Sequence, residues 1–247
     1  MSSCTSEQHE DALWKWDNAN GTNPGTRSLA RHQKVSKRRL ATALNLSMTA
    51  SKSPHLLDVG CSSGSLLAVA ASMGLSVSGV EPATAAAEAA KRAGFDVHVG
   101  YLNQANYPDG YFDIVTLFEI VEHLSDPSAL VKECRRVLKV GGILAINTPN
   151  AASWTAKFME ERWEGFSLAG LGGHVSFFTP KSMGFLAHLA GLKVAKVETR
   201  NVRFYERDQC HPLLFRIAKI VAQLLAYPAR ILGQGHDLLI FMRKEAP

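Results

Sequence analysis

From about residue 55 onwards, short runs of consecutive apolar residues alternate with stretches whose apolar positions recur every three or four residues. The runs at 55–59 (HLLDV), 75–80 (LSVSGV), 95–99, 112–118 (FDIVTLF), 143–147, 192–198 and 237–242 (DLLIFM) read as buried strands. Between them, helices are predicted near 65–73 and 83–93, from Asp126-Pro127 to about Leu138, from Thr179-Pro180 to Leu189, and over 212–232. Gly141-Gly142 is expected to end the third of these. Strands that are apolar throughout, each followed by a helix, imply a mainly parallel sheet covered on both faces, with right-handed crossovers.

The pattern divides the chain at about residue 50. Residues 1–50 are expected to form an N-terminal extension: a polar lead-in (1–26) carrying Trp14 and Trp16, then a helix over 27–48 with Leu29, Val35, Leu40, Leu44 and Leu46. Ser51–Pro54 breaks it. Residues 51–247 form the α/β domain, interrupted by an irregular insertion at 149–178 and the extra helix at 212–232. The insertion carries Trp154, Phe158, Trp163, Phe166, Phe177 and Phe178, which would either line an apolar acceptor pocket or pack an inserted helix.

Composition narrows the class. A chain of 247 residues with 46% apolar residues has ample material for one sizeable core. The four cysteines lie far apart, without metal-ligand or disulfide spacing, and no signal pattern opens the chain, so the cytoplasm is the expected compartment. The 212–232 stretch contains Arg216, Lys219, Gln223 and Arg230, which disfavours a transmembrane span. It is expected to pack on its own domain or form a homodimer, with peripheral membrane contact as the alternative. The net charge of +5 includes a cluster at Arg27, Arg31, Lys34, Lys37, Arg38 and Arg39. A solvated helix face accounts for it; attraction to an anionic partner such as a nucleotide-sugar, acidic lipid or RNA is the alternative. No feature calls for DNA, and RNA is disfavoured as a partner.

The sharpest chemical feature is LLDVGCSSG at 56–64. A strand runs into Asp58, and Gly60 and Gly64 flank a tight turn into a helix, where a ligand can approach the backbone closely. Glu81 ends the next strand, placed to hydrogen-bond both hydroxyls of a ribose. Dinucleotide binders want G-x-G-x-x-G and a helix N-terminus for pyrophosphate. Here the spacing is G-x-x-x-G and an acid precedes it, which suits a cofactor bearing a cationic ammonium and sulfonium. An NAD-binding oxidoreductase is therefore disfavoured, and the missing Lys-Ser/Thr pair excludes a P-loop.

From about His55 to Asn150, and more loosely to the C-terminus, the sequence resembles the class I S-adenosylmethionine-dependent methyltransferases. The matching segments are LLDVGCSSG, GVEP at 79–82, DGYFDIVTLFEIVEHLSDP at 109–127 and LKVGGILAINTPN at 138–150. The resemblance implies a Rossmann-like seven-stranded sheet, helices on both faces and its last strand antiparallel. It also implies S-adenosylmethionine contacts at Asp58, Gly60, Cys61, Ser62, Gly64, Glu81, Tyr101, Leu102, Phe118 and Glu119. The family often has glycine where this chain has Ser62. It often has an acid for the adenine amine where this chain has Gly100, Tyr101 and Leu102, leaving packing or Asn103 for that task.

Residues that align and deprotonate a methyl acceptor should follow the fourth strand, at the carboxyl edge of the sheet. That place holds Glu119, Glu122 and His123, which converge if the segment is helical. His174 lies downstream in GHVSFFTP. The E-x-x-E-H pattern with a later H-x-x-F resembles two metal-dependent O-methyltransferase families, one methylating a catechol in ubiquinone synthesis and one the terminal ribose of small RNAs. That resemblance implies a divalent metal on Glu119, Glu122, His123 and His174, acidifying an acceptor hydroxyl. Alternatively, His123 and His174 act without metal. The reading is methylation of a hydroxylated small molecule, quinone-like ring or sugar. A metal-free N- or C-methyltransferase and a non-catalytic cofactor-binding subunit are the alternatives.

Overall fold

The computed structural model describes residues 26–163, 165, 173–205 and 211–246. The lead-in with Trp14 and Trp16, and Phe166 of the insertion, lie outside the described residues. The elements follow the order α1 (Thr26–Leu46), β1 (His55–Val59), α2 (Ser65–Ser72), β2 (Ser76–Glu81), α3 (Thr84–Arg92), β3 (Asp96–Val99), β4 (Phe112–Phe118), α4 (Pro127–Val137), β5 (Leu138–Pro149), α5 (Trp154–Met159), α6 (Pro180–Leu189), β6 (Lys193–Arg200), α7 (Pro212–Ile231) and β7 (Asp237–Arg243).

The seven strands form one sheet in the order β3-β2-β1-β4-β5-β7-β6. The first five pair in parallel, and β7 runs antiparallel to both β5 and β6. Neighbouring residues along each central strand feed opposite faces, so both must be apolar. Leu56, Ile114, Ile143 and Phe241 enter one core, beneath Leu40 and Ala43 of α1 and Leu67 and Ala70 of α2. Leu57, Val115, Leu144 and Ile240 enter the other, beneath Val131 and Val137 of α4 and Met183 and Leu186 of α6. The helix preceding the sheet thus shares its core.

Local chemistry starts the helices. The Asp126 carboxylate accepts from the amides of Ser128 and Ala129 at 3.1 and 3.2 Å, with Pro127 opening α4. Thr179 and Ser182 form a reciprocal capping box ahead of α6. The expected end of α4 differs. The helix stops at Val137, and β5 already begins at Leu138, which pairs with Phe112. Gly141-Gly142 lies inside β5, opposite a register shift between Phe112 and Ile114, rather than closing the helix.

Two further expectations are narrowed. The described aromatic residues of the insertion pack separately and do not gather in one pocket. Trp163 is buried beside His236, Phe178 joins the main core, Trp154 packs against Val202 and Ala229, and Phe158 stands half exposed against Phe204. The helix at Pro212–Ile231 is not buried on its own domain along its length: Ala222 and Ala229 are its buried residues.

Candidate active site

The strand order reverses between β1 and β4, and ligands of open α/β sheets bind where carboxyl ends diverge at such a point. The turn after β1 is held by backbone amides: Gly60 and Cys61 both donate to the Val80 carbonyl, at 2.8 and 3.2 Å. Gly60 (φ 76) and Gly64 (φ 85) adopt left-handed backbone. A Cβ on Gly60 would overlap Ile120, and one on Gly64 would lie 2.8 Å from Phe95 Cδ2. Ser62 is also left-handed, with φ 48, a backbone region that glycine enters at least cost.

Two acids face this turn. The Glu81 carboxylate accepts from the Ser62 amide at 2.8 Å and the Ala83 amide at 2.9 Å, fixing the end of β2 against the loop. Asp58 accepts from the Thr116 hydroxyl at 2.6 Å. Burial, reinforced by the nearby charge of Glu81, pushes Asp58 up to about 7, against the Thr116 hydrogen bond. A cationic ligand relieves that penalty, so Asp58 fits the ammonium and sulfonium of S-adenosylmethionine. Cys61 is buried, and its thiol is pushed above its ordinary value by burial, then by Asp58 and Glu81. After β3, Tyr101 is 44% exposed while Leu102 turns into the core. The Tyr101 amide donates to Gln104 Oε1 at 2.8 Å, and Asn103 is exposed.

The segment after β4 is not a continuous helical turn. Glu119 has φ 56, and a single 3-10 turn covers Val121–His123. That break turns Glu119 back over the sheet, where its carboxylate accepts from the Asn147 side chain of β5. Glu122 is buried, with Oε2 accepting from Thr148 at 3.0 Å. Its carboxyl is buried beside that of Glu119, within hydrogen-bonding reach of it. The segment carrying His174 is tied to this turn, because the amides of Val175 and Ser176 donate to the Glu122 carbonyl at 2.9 and 3.0 Å. The Ser176 hydroxyl donates to the Leu124 carbonyl at 2.7 Å. The His123 and His174 rings consequently meet edge to face at 5.0 Å.

Potential ligand atoms of Glu122, His123 and His174 all lie within 4.8 Å of one another. Glu119 is outside that triad, so the expected four-residue sphere is assembled only in three of its members. Burial, and next the Glu122 charge, raise Glu119 well above the usual carboxylate range; burial also raises Glu122. Two neighbouring buried carboxyls, both raised, and two imidazoles form a donor set that a divalent cation with mixed oxygen and nitrogen preference fits.

The structure adds residues that the sequence reading missed. Arg39, assigned to a solvated basic face, turns inward instead. Its Nη2 donates to Asn147 Oδ1 at 2.8 Å and its guanidinium lies 5.1 Å from the Phe118 ring centre. Burial pulls its pKa down while Glu119 and Asp237 oppose that shift. Arg31, Lys34, Lys37 and Arg38 do face solvent. The available signal was position: Arg39 adjoins Leu40 and precedes Ala43 by one turn, on the face that enters the core.

A family profile described as a methyltransferase domain matches residues 29–197. The ubiquinone biosynthesis O-methyltransferase of Thiobacillus denitrificans is 30% identical over 153 residues, covering 58% of this chain and 66% of that protein. The enzyme of that name from Xanthomonas oryzae pv. oryzae is 37% identical over 103 residues, covering 39% and 43%. This chain therefore spans less than two thirds of these relatives' length. The crystal structure of an S-adenosylmethionine-dependent methyltransferase from Archaeoglobus fulgidus superposes with a TM-score of 0.59 at 20% identity, over 86% of this chain and 94% of that one. With the Gly60–Gly64 turn, the acids at Asp58 and Glu81 and the antiparallel β7 in place, the chain belongs to the class I S-adenosylmethionine-dependent methyltransferases.

Proposed function

We propose that the protein transfers a methyl group from S-adenosylmethionine to a hydroxyl oxygen of a small molecule, of the quinone-precursor or catechol type. The observation that carries this is the Glu122–His123–His174 triad, gathered by the 3-10 turn that follows the strand beside the Gly60 turn. The cofactor would be held by Asp58, Gly60, Cys61, Ser62 and Gly64 at the turn, by Glu81 at the ribose, by Tyr101 and Leu102 at the adenine, and by Phe118 and Glu119 toward the methyl group. The partial similarity to ubiquinone biosynthesis O-methyltransferases supports a ring hydroxyl as acceptor.

In the reaction the acceptor oxygen attacks the methyl carbon in line, the carbon–sulfur bond breaks, and S-adenosylhomocysteine leaves. The hydroxyl proton must depart, and the imidazoles of His123 and His174 would accept it. Glu122, His123 and His174, with Glu119 adjoining, would hold a divalent cation, and such a cation lowers the pKa of a bound hydroxyl.

The test is methyl transfer from labelled S-adenosylmethionine to a panel of catechols, monophenols, sugars and amines. Transfer to catechols with retention of the label on oxygen is expected. Exclusive labelling of nitrogen or carbon acceptors would replace this reading with a metal-free N- or C-methyltransferase.

A further inference from the structure

Among the described residues, the helix α7 touches the protein by a narrow side and leaves a broad one open. Ala222 and Ala229 are buried against Val202 beside β6. Away from that contact, Leu213, Ile217, Ile220, Leu224, Tyr227 and Ile231 follow one another at spacings of three and four residues, so they form one stripe along the helix. Each is more than half exposed, with Leu224 and Tyr227 at 72%. A continuous apolar stripe on a helix about 30 Å long is far larger than the scattered apolar residues of an ordinary surface.

The charges beside this stripe have one sign. Arg216, Lys219 and Arg230 are exposed and lie along the flank next to Tyr227, and α7 contains no acidic residue. The apolar surface also continues off the helix. Leu214, Ile217 and Val221 line an open groove of about 310 Å³ with Phe158, Phe204 and Tyr205. Phe158 belongs to α5, which follows the carboxyl end of β5 beside the candidate site.

We propose that α7 docks the enzyme on an anionic lipid bilayer. The Leu213–Ile231 stripe lies among the upper acyl chains, Arg216, Lys219 and Arg230 meet headgroup phosphates, and Tyr227 sits at the boundary with its hydroxyl in the headgroup layer. The helix lies in the surface and does not cross it. Its two ends return to β6 and β7, which pair with each other, and Ala222 and Ala229 hold it on the protein. A second copy of the chain is a poorer occupant: α7 against α7 would bring six cations to one seam with no carboxylate from either helix. Phosphate headgroups supply the missing negative charge. This inference is independent of which acceptor is methylated.

The experiment is flotation of the full chain with vesicles of phosphatidylcholine alone and with added phosphatidylglycerol, beside sedimentation equilibrium without lipid. The wild type should float with the anionic vesicles, at least tenfold more tightly than with the neutral ones, and raised salt should weaken it. Leu224→Glu and Ile217→Glu should each abolish flotation. Arg216→Gln and Lys219→Gln should weaken it by about fivefold per charge. Because all four side chains are exposed, each variant should keep wild-type affinity for S-adenosylhomocysteine, which checks folding. Failure of the wild type to float with anionic vesicles overturns the proposal, as does undiminished flotation of Leu224→Glu. A dimer that dissociates in Leu224→Glu, without vesicle binding, assigns the stripe to a second copy instead.

Discussion

Arg39 donates a hydrogen bond from Nη2 to Asn147 Oδ1 at 2.8 Å, linking the helix before the sheet to the carboxyl end of β5. Asn147 passes the link on, since its amide nitrogen donates to the Glu119 carboxylate. A charge in the first described helix therefore orients a carboxylate beside the candidate site. Arg39→Ala should lower stability by about 1.5–3 kcal/mol, the range for a charge-assisted hydrogen bond, and reduce methyl transfer by loosening Glu119. Arg39→Lys should recover part of the stability and little of the activity, because an ammonium lacks the flat fork that bonds Asn147 while stacking on Phe118. Urea unfolding and turnover measured on both variants check this, and an unchanged midpoint for Arg39→Ala would remove the link.

Asp58 gives a pH dependence whose sign follows from its burial. Its pKa is about 7 in the folded, unliganded protein against an ordinary 3.8. Between those values the folded state holds a proton that the unfolded chain has released, so its contribution to stability is present below pH 4 and declines as pH rises toward 7. A cationic cofactor favours the ionised form. Affinity for S-adenosylmethionine should therefore rise with pH up to about 7 and level off above it. Proton release on binding below that pH, read from calorimetry in buffers of different ionisation enthalpy, checks the assignment. Asp58→Asn should bind more weakly and flatten this component of the profile.

The fold was legible because each central strand is buried on both sides. Leu56-Leu57, Ile114-Val115 and Leu239-Ile240 supply apolar residues to both faces, and such runs stand out against helical periodicity. The antiparallel direction of β7 is not written in its run and came from the family resemblance. The early start of β5 was hidden, because Gly141-Gly142 reads as a helix stop when its partner at Phe112 is unknown. In the site, the family resemblance made the residue types and the meeting of Glu122, His123 and His174 legible, but not the place of Glu119. The positive φ of Glu119 breaks the assumed helical geometry and sends that carboxylate to Asn147. The approach of His174 depends on two backbone amides reaching the Glu122 carbonyl, a contact with no side-chain signature. Arg39 was hidden among five other basic residues.

Gly60→Ala should be harmful out of proportion to one methyl group. The backbone there has φ 76, which costs an L-residue about 1–2 kcal/mol. The new Cβ would also overlap the side chain of Ile120. Relief by moving Ile120 would displace the segment that carries Glu122 and His123, so cofactor affinity and turnover should both fall. Gly184→Ala, in α6 with open space around its Cβ position, should be neutral or slightly stabilising. Thermal unfolding of both variants with and without S-adenosylhomocysteine checks the contrast; equal ligand-induced shifts in wild type and Gly60→Ala would show that the turn does not approach the cofactor.

Removal of the imidazoles separates catalysis from cofactor binding. His123 and His174 meet at 5.0 Å on opposite sides of a backbone tether, and each offers a nitrogen within 4.8 Å of a Glu122 oxygen. Neither belongs to the Gly60 turn or to the end of β2, so S-adenosylhomocysteine should bind His123→Ala and His174→Ala with nearly wild-type affinity. Turnover should fall by about 100-fold or more in each, the loss typical of a positioned proton acceptor. If the two rings and Glu122 instead hold a cation, Glu122→Gln should lose activity as severely, and chelation should abolish it in the wild type. Manganese, iron or zinc should then restore activity better than magnesium, since nitrogen ligands suit those ions. Glu119→Gln, one residue outside the triad, should retain more activity than Glu122→Gln. Full activity after exhaustive chelation would remove the cation and leave the imidazoles as the groups that take the proton. Equal loss of cofactor affinity in the His123 and His174 variants would place the triad in the cofactor pocket and not beside the acceptor.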